Sequence, residues 1–161
     1  MALKNGAQDD ALWANAAKGG RLEVLQWGME GAGSLWDIGG WNICPNAALG
    51  GHLAVLQWAR EHDFPWHVAV CVHAASEGHM DVLKWAREND CPWDEDACAY
   101  AAGHGRLEVL RWARQQDCPW NEITCAHAAF GGHLEVLRWA REQDCPWDEE
   151  TCASGRRGWA P

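Results

Sequence analysis

Eight cysteines and eight histidines are the residues of this 161-residue chain most able to do chemistry. Zinc sites usually join ligand pairs at spacings such as C-x2-4-C. Here Cys91 and Cys98 begin a series of C-x6-C pairs, and no CxxC occurs. Cysteine is also a common small hydrophobic core residue. The spacing favours buried core cysteines and predicts no metal and no cofactor, with a Cys-rich metal-binding or thiol redox protein as the alternative.

Nucleophilic and phosphate-binding motifs are absent from the sequence. The three serines, Ser34, Ser76 and Ser154, do not lie in a G-x-S-x-G setting, and neither GxxxxGK[ST] nor a strand-linked GxGxxG occurs. We therefore expect no catalytic residues and no enzymatic activity.

The charge balance disfavours some classes of partner. With 13 Lys and Arg against 23 Asp and Glu, the formal net charge is -10, which repels nucleic acid phosphates and anionic lipid. No apolar run approaches the roughly 18 to 20 residues that cross a bilayer, and residues 1–10 do not resemble a signal peptide. The expectation is a cytoplasmic protein that binds neither nucleic acid nor membrane.

An internal repeat organises the chain. The string L-x-V-L-x-W recurs at intervals of 31, 27, 27 and 27 residues, with Met80 replacing one leucine, and its tryptophans are Trp27, Trp58, Trp85, Trp112 and Trp139. In each unit a first helix begins after a capping residue such as Asp94 or Asn121 and stops at glycine. A second helix follows, with an apolar arc of roughly 220°. Such a helix must contact its own partner and a neighbour on each side.

The repeat resembles the ankyrin repeat, and the match recurs in five units from Gln8 to about Ser154. ITCAHAAFGGHLEVLRWAREQDC, from Ile123 to Cys145, matches TPLHxAAxxGHLEIVxLLLxxGAD at Ala128-Ala129, at Gly132-His133 and from Leu134 to Leu137. The period is 27 rather than about 33, and the missing residues fall where ankyrin repeats carry a β-hairpin finger. The chain is similar to shortened, Trp- and Cys-rich repeats that are expanded in algae, amoebae and large DNA viruses.

The resemblance implies an all-α fold: an ankyrin-like α-solenoid of stacked antiparallel helix pairs, with β-hairpin fingers reduced or absent. We expect a single repeat domain over 1–161. Its helix pairs are predicted at 8–30, 42–63, 67–90, 94–117 and 121–144, with a partial repeat at 148–161. That partial repeat departs from the pattern at Gly155-Arg156, which predicts a poorly capped end and self-association there.

Several rows of equivalent residues are predicted to serve packing. The tryptophans of the L-x-V-L-x-W string are expected in the core. The turn tryptophans Trp66, Trp93, Trp120 and Trp147 either fasten each turn onto the next unit or line a ridge for a partner. His52, His79 and His133, with Arg21 and Arg106 in the other units, are expected to be structural. Arg60, Arg87, Arg114 and Arg141 suit the negative end of the second-helix dipole.

Two places vary while their surroundings do not. One first-helix position carries Asn15, Asn46, His73, Tyr100, His127 and Ser154 in successive units, which indicates either a diversified binding face or relaxed constraint. The long loop between Gly31 and Ile43 has no equivalent elsewhere and is either a place to look for specificity or a product of sequence drift near the chain start. The predicted partner-binding residues are Trp36, Asp37, Trp41, His73, Tyr100, His104, His127 and Phe130.

The resemblance therefore favours a non-catalytic protein–protein interaction module that docks another protein on its first helices and turns. The second alternative to this interpretation, beside the thiol protein, is a spacer or a truncated fragment of a larger repeat array.

Overall fold

The computed structural model describes residues 6–32 and 40–148, and this part of the chain is all-helical, as predicted. Its helices are α1 Gly6–Lys18, α2 Leu22–Ala32, α3 Ile43–Gly50, α4 Leu53–Glu61, α5 Val68–Glu77, α6 Met80–Glu88, α7 Glu95–Gly103, α8 Leu107–Gln115, α9 Glu122–Phe130 and α10 Leu134–Glu142. A short 3-10 turn, Gly40–Asn42, precedes α3.

Odd-numbered helices are the first helices of each unit, and even-numbered helices are the second helices. Each first helix packs against the second helix of its own unit. The first helices also pack on one another in succession, from α1 through α3, α5 and α7 to α9. The first helices therefore form a continuous row.

Three of the first helices, α5, α7 and α9, begin at side-chain caps. The carboxylate of Asp94 accepts a hydrogen bond from the Asp96 backbone N–H at 3.2 Å, and Asn121 caps Ile123 at 3.0 Å. In the third unit His67 Nδ1 accepts from Ala69 N–H at 3.3 Å. The predicted capping by Asp94 and Asn121 is confirmed, and an imidazole takes the same role one unit earlier.

Every described helix except α2 is followed, within two residues of its end, by a residue in the left-handed region. Glycines follow the first helices there, with φ between 68° and 85°: Gly20, Gly51, Gly78, Gly105 and Gly132. Aspartates follow the second helices with φ between 57° and 61°: Asp63, Asp90, Asp117 and Asp144. The next residue closes the turn, as where Cys91 N–H donates to Ala86 O at 2.9 Å. The glycine stops were predicted from the sequence, whereas the aspartates were not, although aspartate tolerates this conformation better than most residues.

The core lies between the two helices of each unit and between units. It is built mainly from alanine, valine, leucine and cysteine, and one cluster extends from Trp13 to Val136. Of the predicted core tryptophans, Trp58 is buried and Trp85, Trp112 and Trp139 are half-buried. The prediction is wrong for Trp27, which is 69% exposed. Trp85, Trp112 and Trp139 each meet a turn tryptophan edge-on: Trp66, Trp93 and Trp120.

Candidate functional site

Three of the predicted binding residues come together on α7 and α9. The rings of Tyr100 and His127 meet edge-on with centroids 5.5 Å apart, and Tyr100 stacks on His104 at 6.4 Å. His104 Nδ1 lies 2.9 Å from the Tyr100 carbonyl oxygen. Tyr100 is 42% exposed, so this Tyr100 cluster presents an aromatic ring and polar ring atoms on the row of first helices.

The other predicted residues lie apart from this cluster. His73 is half-buried, and its Nδ1 lies 3.0 Å from the carbonyl oxygen of Pro45, which ties α5 to α3. Trp41 is 62% exposed on the 3-10 turn, and Phe130 is 75% exposed at the end of α9. Trp36 and Asp37 lie outside the described residues. A single contiguous site is therefore shown only for the Tyr100 cluster.

The residues after the left-handed glycines fasten each unit to the one before it. His52 Nε2 lies 2.9 Å from Lys18 O, His79 Nε2 lies 3.3 Å from Leu49 O, and Arg106 Nε donates to Ser76 O at 3.0 Å. These contacts satisfy carbonyl groups at first-helix C-termini that lack helical partners. They confirm that this row serves packing.

Buried thiols pair inside three units, each first-helix cysteine with the cysteine of the following turn. The pairs are Cys71 with Cys91, Cys98 with Cys118, and Cys125 with Cys145, and all six are free and buried. Cys118 Sγ donates to Asp94 O at 3.5 Å, and Cys145 Sγ to Asn121 O at 3.5 Å. Each of these turn thiols thus donates to the backbone carbonyl of the residue that caps the first helix, and so links the end of the unit to its beginning.

Burial, together with pairing in three cases, suppresses ionisation of four of the seven described cysteines, whereas hydrogen bonding to Cys145 lowers the pKa of Cys125. Hydrogen bonding to Cys71, with burial, raises the pKa of Cys91 well above its ordinary value. The pKa of Cys118 is raised in the same way through Cys98, and that of Cys145 through Cys125. Burial raises the pKa of Cys44 to about 12. Since the thiolate is the nucleophile and the metal ligand, the geometry favours packing over chemistry at these four thiols.

The turn tryptophans are held between a cation and a second indole. The guanidinium carbons of Arg60, Arg87 and Arg114 lie 4.5, 4.4 and 4.3 Å from the ring centroids of Trp66, Trp93 and Trp120. Each indole also meets a second-helix tryptophan of the next unit edge-on: Trp85 at 5.7 Å, Trp112 at 5.9 Å and Trp139 at 5.9 Å. Two roles were predicted for these tryptophans, and the structure shows the first: each one fastens its turn onto the next unit. The arginine partners were not predicted, although each arginine precedes its tryptophan by six residues.

The last described unit has exposed apolar side chains. Leu134 is 57% exposed on α10, whereas Leu107, Met80 and Leu53 in the same row are half-buried against neighbours. Leu134 and Phe130 together form a solvent-exposed apolar face on α9 and α10. Self-association at this end stays a prediction.

Metal binding, partner binding and membrane insertion place different requirements on the described residues. Within 6–32 and 40–148, no group of three or more His, Cys, Asp or Glu is placed to hold a metal ion. The Tyr100 cluster can make aromatic contacts and exchange hydrogen bonds with a partner. None of the helices described here combines the length and apolar character needed to cross a bilayer.

Comparison with known proteins adds no family assignment. The chain matches no protein-family model, and no curated protein is significantly similar to it.

Proposed function

We propose that this chain is a non-catalytic protein-binding module, an ankyrin-like α-solenoid that docks a partner protein on its first helices and turns. The observation that carries the proposal is the Tyr100 cluster. Its members Tyr100 and His127 occupy a first-helix row that varies between units, and they contact each other on a scaffold fixed by repeated packing. Rigid aromatic anchors are typical of protein interfaces.

The helix contacts support the solenoid part of the proposal. Every first helix from α3 to α7 contacts the first helices on both sides and its own second helix. The residues that join units recur in register, as His52 and His79 do. Such nearest-neighbour packing is the defining property of solenoid repeats.

The test is affinity capture followed by binding to the purified partner. We expect proteins retained by the unmodified chain to be lost when Tyr100 and His127 are both replaced by asparagine, the residue at Asn15 and Asn46 in the same row. Partner affinity should fall at least about tenfold. The matched control is Arg138→Gln on exposed α10, since Gln26 and Gln57 occupy that row.

If the double variant retains the same proteins with the same affinity, the docking face is wrong. If no protein binds reproducibly to any variant, the interpretation as a spacer or array fragment gains instead.

The thiol pairs support one second candidate, a thiol redox or metal-binding protein. Cys71 with Cys91, and their counterparts in two later units, place two free sulfurs in contact. Bound zinc in the purified protein, or disulfides formed within the native fold by mild peroxide, would favour this candidate. Cysteines that react only after unfolding would favour packing.

A further inference from the structure

Two clefts occupy equivalent places between second helices, at opposite ends of the described chain. The α2–α4 cleft has a volume of about 450 Å³ and is lined by Gln26, Met29, Glu30, Trp58, Glu61 and His62. The α8–α10 cleft has a volume of about 420 Å³ and is lined by Arg111, Arg114, Gln115, Trp120, Trp139 and Gln143. In the repeat register, Gln26, Met29 and Glu30 correspond to Arg111, Arg114 and Gln115. The two clefts are the same feature with different side chains.

Their charges are opposite. Two carboxylates and no Lys or Arg line the α2–α4 cleft, whereas two guanidinium groups and no carboxylate line the α8–α10 cleft. Gln115 increases this difference in charge, because the equivalent residue in each of the other units is a glutamate: Glu30, Glu61, Glu88 and Glu142. In a chain of net charge -10, the α8–α10 cleft is a local reversal of sign.

The guanidinium groups keep donors for a ligand. Arg114 Nη1 donates to Cys118 O, and its guanidinium carbon lies 4.3 Å from the Trp120 centroid. Four of its five N–H donors are not used in that bond. Arg111 lies 3.9 Å from Glu108, but both side chains are largely exposed, so this ion pair is weak.

Two indole rings form the apolar part of the cleft wall. Trp120 and Trp139 meet edge-on at 5.9 Å, and the Arg111 guanidinium carbon lies 5.9 Å from the Trp139 centroid. Because Arg114 and the two indoles already contact one another before any ligand arrives, binding orders fewer side chains. A fork of N–H donors beside indole rings suits a carboxylate next to an apolar side chain.

We propose that the α8–α10 cleft binds an acidic segment of a protein partner. A glutamate or aspartate side chain pairs with Arg111 and Arg114, and an adjacent apolar side chain packs on Trp120 and Trp139. The overall negative charge disfavours a polyanion such as nucleic acid, whereas one or two carboxylates meet the local positive charge. The cleft lies on the second helices, so this proposal and docking at the Tyr100 cluster can fail independently.

The test uses the peptide acetyl-Leu-Glu-Leu-Glu-amide as the probe and the indole N–H signals of the 15N-labelled protein as the readout. We expect saturable shifts at Trp120 and Trp139 and none at Trp58. Gln115→Glu should weaken binding about fivefold or more, because it places a like charge beside the carboxylate. The matched control is Gln26→Glu, which makes the same charge change in the α2–α4 cleft and should leave the affinity unchanged.

A second variant, Arg111→Gln, separates a loss of binding from a loss of folding. Glutamine is compatible with the fold at this position, because Gln57 is the equivalent residue of another unit. The Arg111→Gln variant should weaken peptide binding while the thermal midpoint stays the same. The proposal is overturned if no saturable shift appears, if Gln26→Glu weakens binding as much as Gln115→Glu, or if inorganic phosphate binds as tightly as the peptide.

Discussion

The guanidinium carbon of Arg87 lies 4.4 Å from the centroid of Trp93, and the ring of Trp112 meets the same indole edge-on at 5.9 Å. One side chain in the turn thus contacts the helix that ends before it and the second helix of the following unit. The same relationship recurs at Trp66 and Trp120. The short turns that follow α4, α6 and α8 therefore carry inter-unit packing.

Replacing Trp93 tests how much this packing contributes. Trp93 is half-buried, so Trp93→Ala should lower the free energy of unfolding by about 2 to 3 kcal/mol, less than a fully buried tryptophan would. Trp93→Phe should cost about 1 kcal/mol because a ring still meets Arg87 and Trp112. Urea denaturation followed by circular dichroism measures both. Trp27→Ala, at a 69% exposed indole, is the control and should change stability by less than about 0.5 kcal/mol. Equal losses at Trp27 and Trp93 would contradict this account.

The buried thiols predict a stability that falls in alkali. Burial raises the pKa of Cys44 from 9.0 to about 12, and the pKa values of Cys91, Cys118 and Cys145 are raised as well. In the unfolded chain these thiols ionise near 9.0, so their stabilisation is complete below that pH and is lost as the pH rises towards the folded values. Each such thiol should contribute a loss of roughly 1.4 kcal/mol per pH unit above 9.

Denaturant titrations at pH 8, 9 and 10 measure this slope. Cys44→Ala should give a shallower decline because one raised thiol is gone, although its stability at pH 8 is lower. An identical slope in the variant, or a flat profile over this range, would refute the assignment.

Local signals in the sequence were sufficient for the caps at Asp94 and Asn121 and for the glycine stops of the first helices. Asp94, Asn121 and the glycines act on backbone groups within a few residues, so residue type and position predict them. The left-handed aspartates were missed because Asp117 sits in a stretch, Gln-Gln-Asp-Cys-Pro, with no glycine to mark it.

Contacts across the chain reversal could not be predicted. Cys91 and Cys98 are close in sequence, whereas the thiol that pairs with Cys91 belongs to Cys71, on the first helix of its own unit. The opposite signs of the two clefts follow from residues visible in the sequence, such as Gln115. That these residues line one cleft could not be predicted, because it depends on how the second helices of neighbouring units are placed relative to each other.

Thr124 offers a stabilising substitution. Its side chain is fully buried on α9, and its hydroxyl has no hydrogen-bond partner among the described residues. A buried hydroxyl without a partner costs about 1 to 3 kcal/mol. Val70 holds the same position in an earlier unit and is also fully buried. Thr124→Val should therefore raise the free energy of unfolding by about 1 to 2 kcal/mol.

The reciprocal change, Val70→Thr, is its control. It should lower stability by a similar amount, because it places a hydroxyl in a fully buried site. Thermal denaturation of the two variants, alone and together, measures the effect, and the combined variant should lie near the unmodified protein. A less stable Thr124→Val variant would show that the hydroxyl is satisfied.

Gly51 and His79 provide a final test of how units are joined. Gly51 has φ of 73°, and a Cβ added there would lie 2.6 Å from two atoms of the His79 ring. That ring cannot move aside without losing the contact of its Nε2 with Leu49 O. At Gly78 the φ of 85° carries similar backbone strain, but the nearest side-chain atom, on Arg106, would be 3.2 Å away.

Gly51→Ala should therefore cost about 3 kcal/mol, and Gly78→Ala about 1 to 2 kcal/mol, where the backbone term dominates. In a double-mutant cycle with His79→Ala, the clash disappears, so the double variant should be more stable than the sum of the two losses predicts by about 1 kcal/mol or more. Chemical denaturation of the four proteins gives this coupling energy. A coupling energy near zero would mean that the ring of His79 does not pack on Gly51, and the account of how neighbouring units are joined would have to be revised.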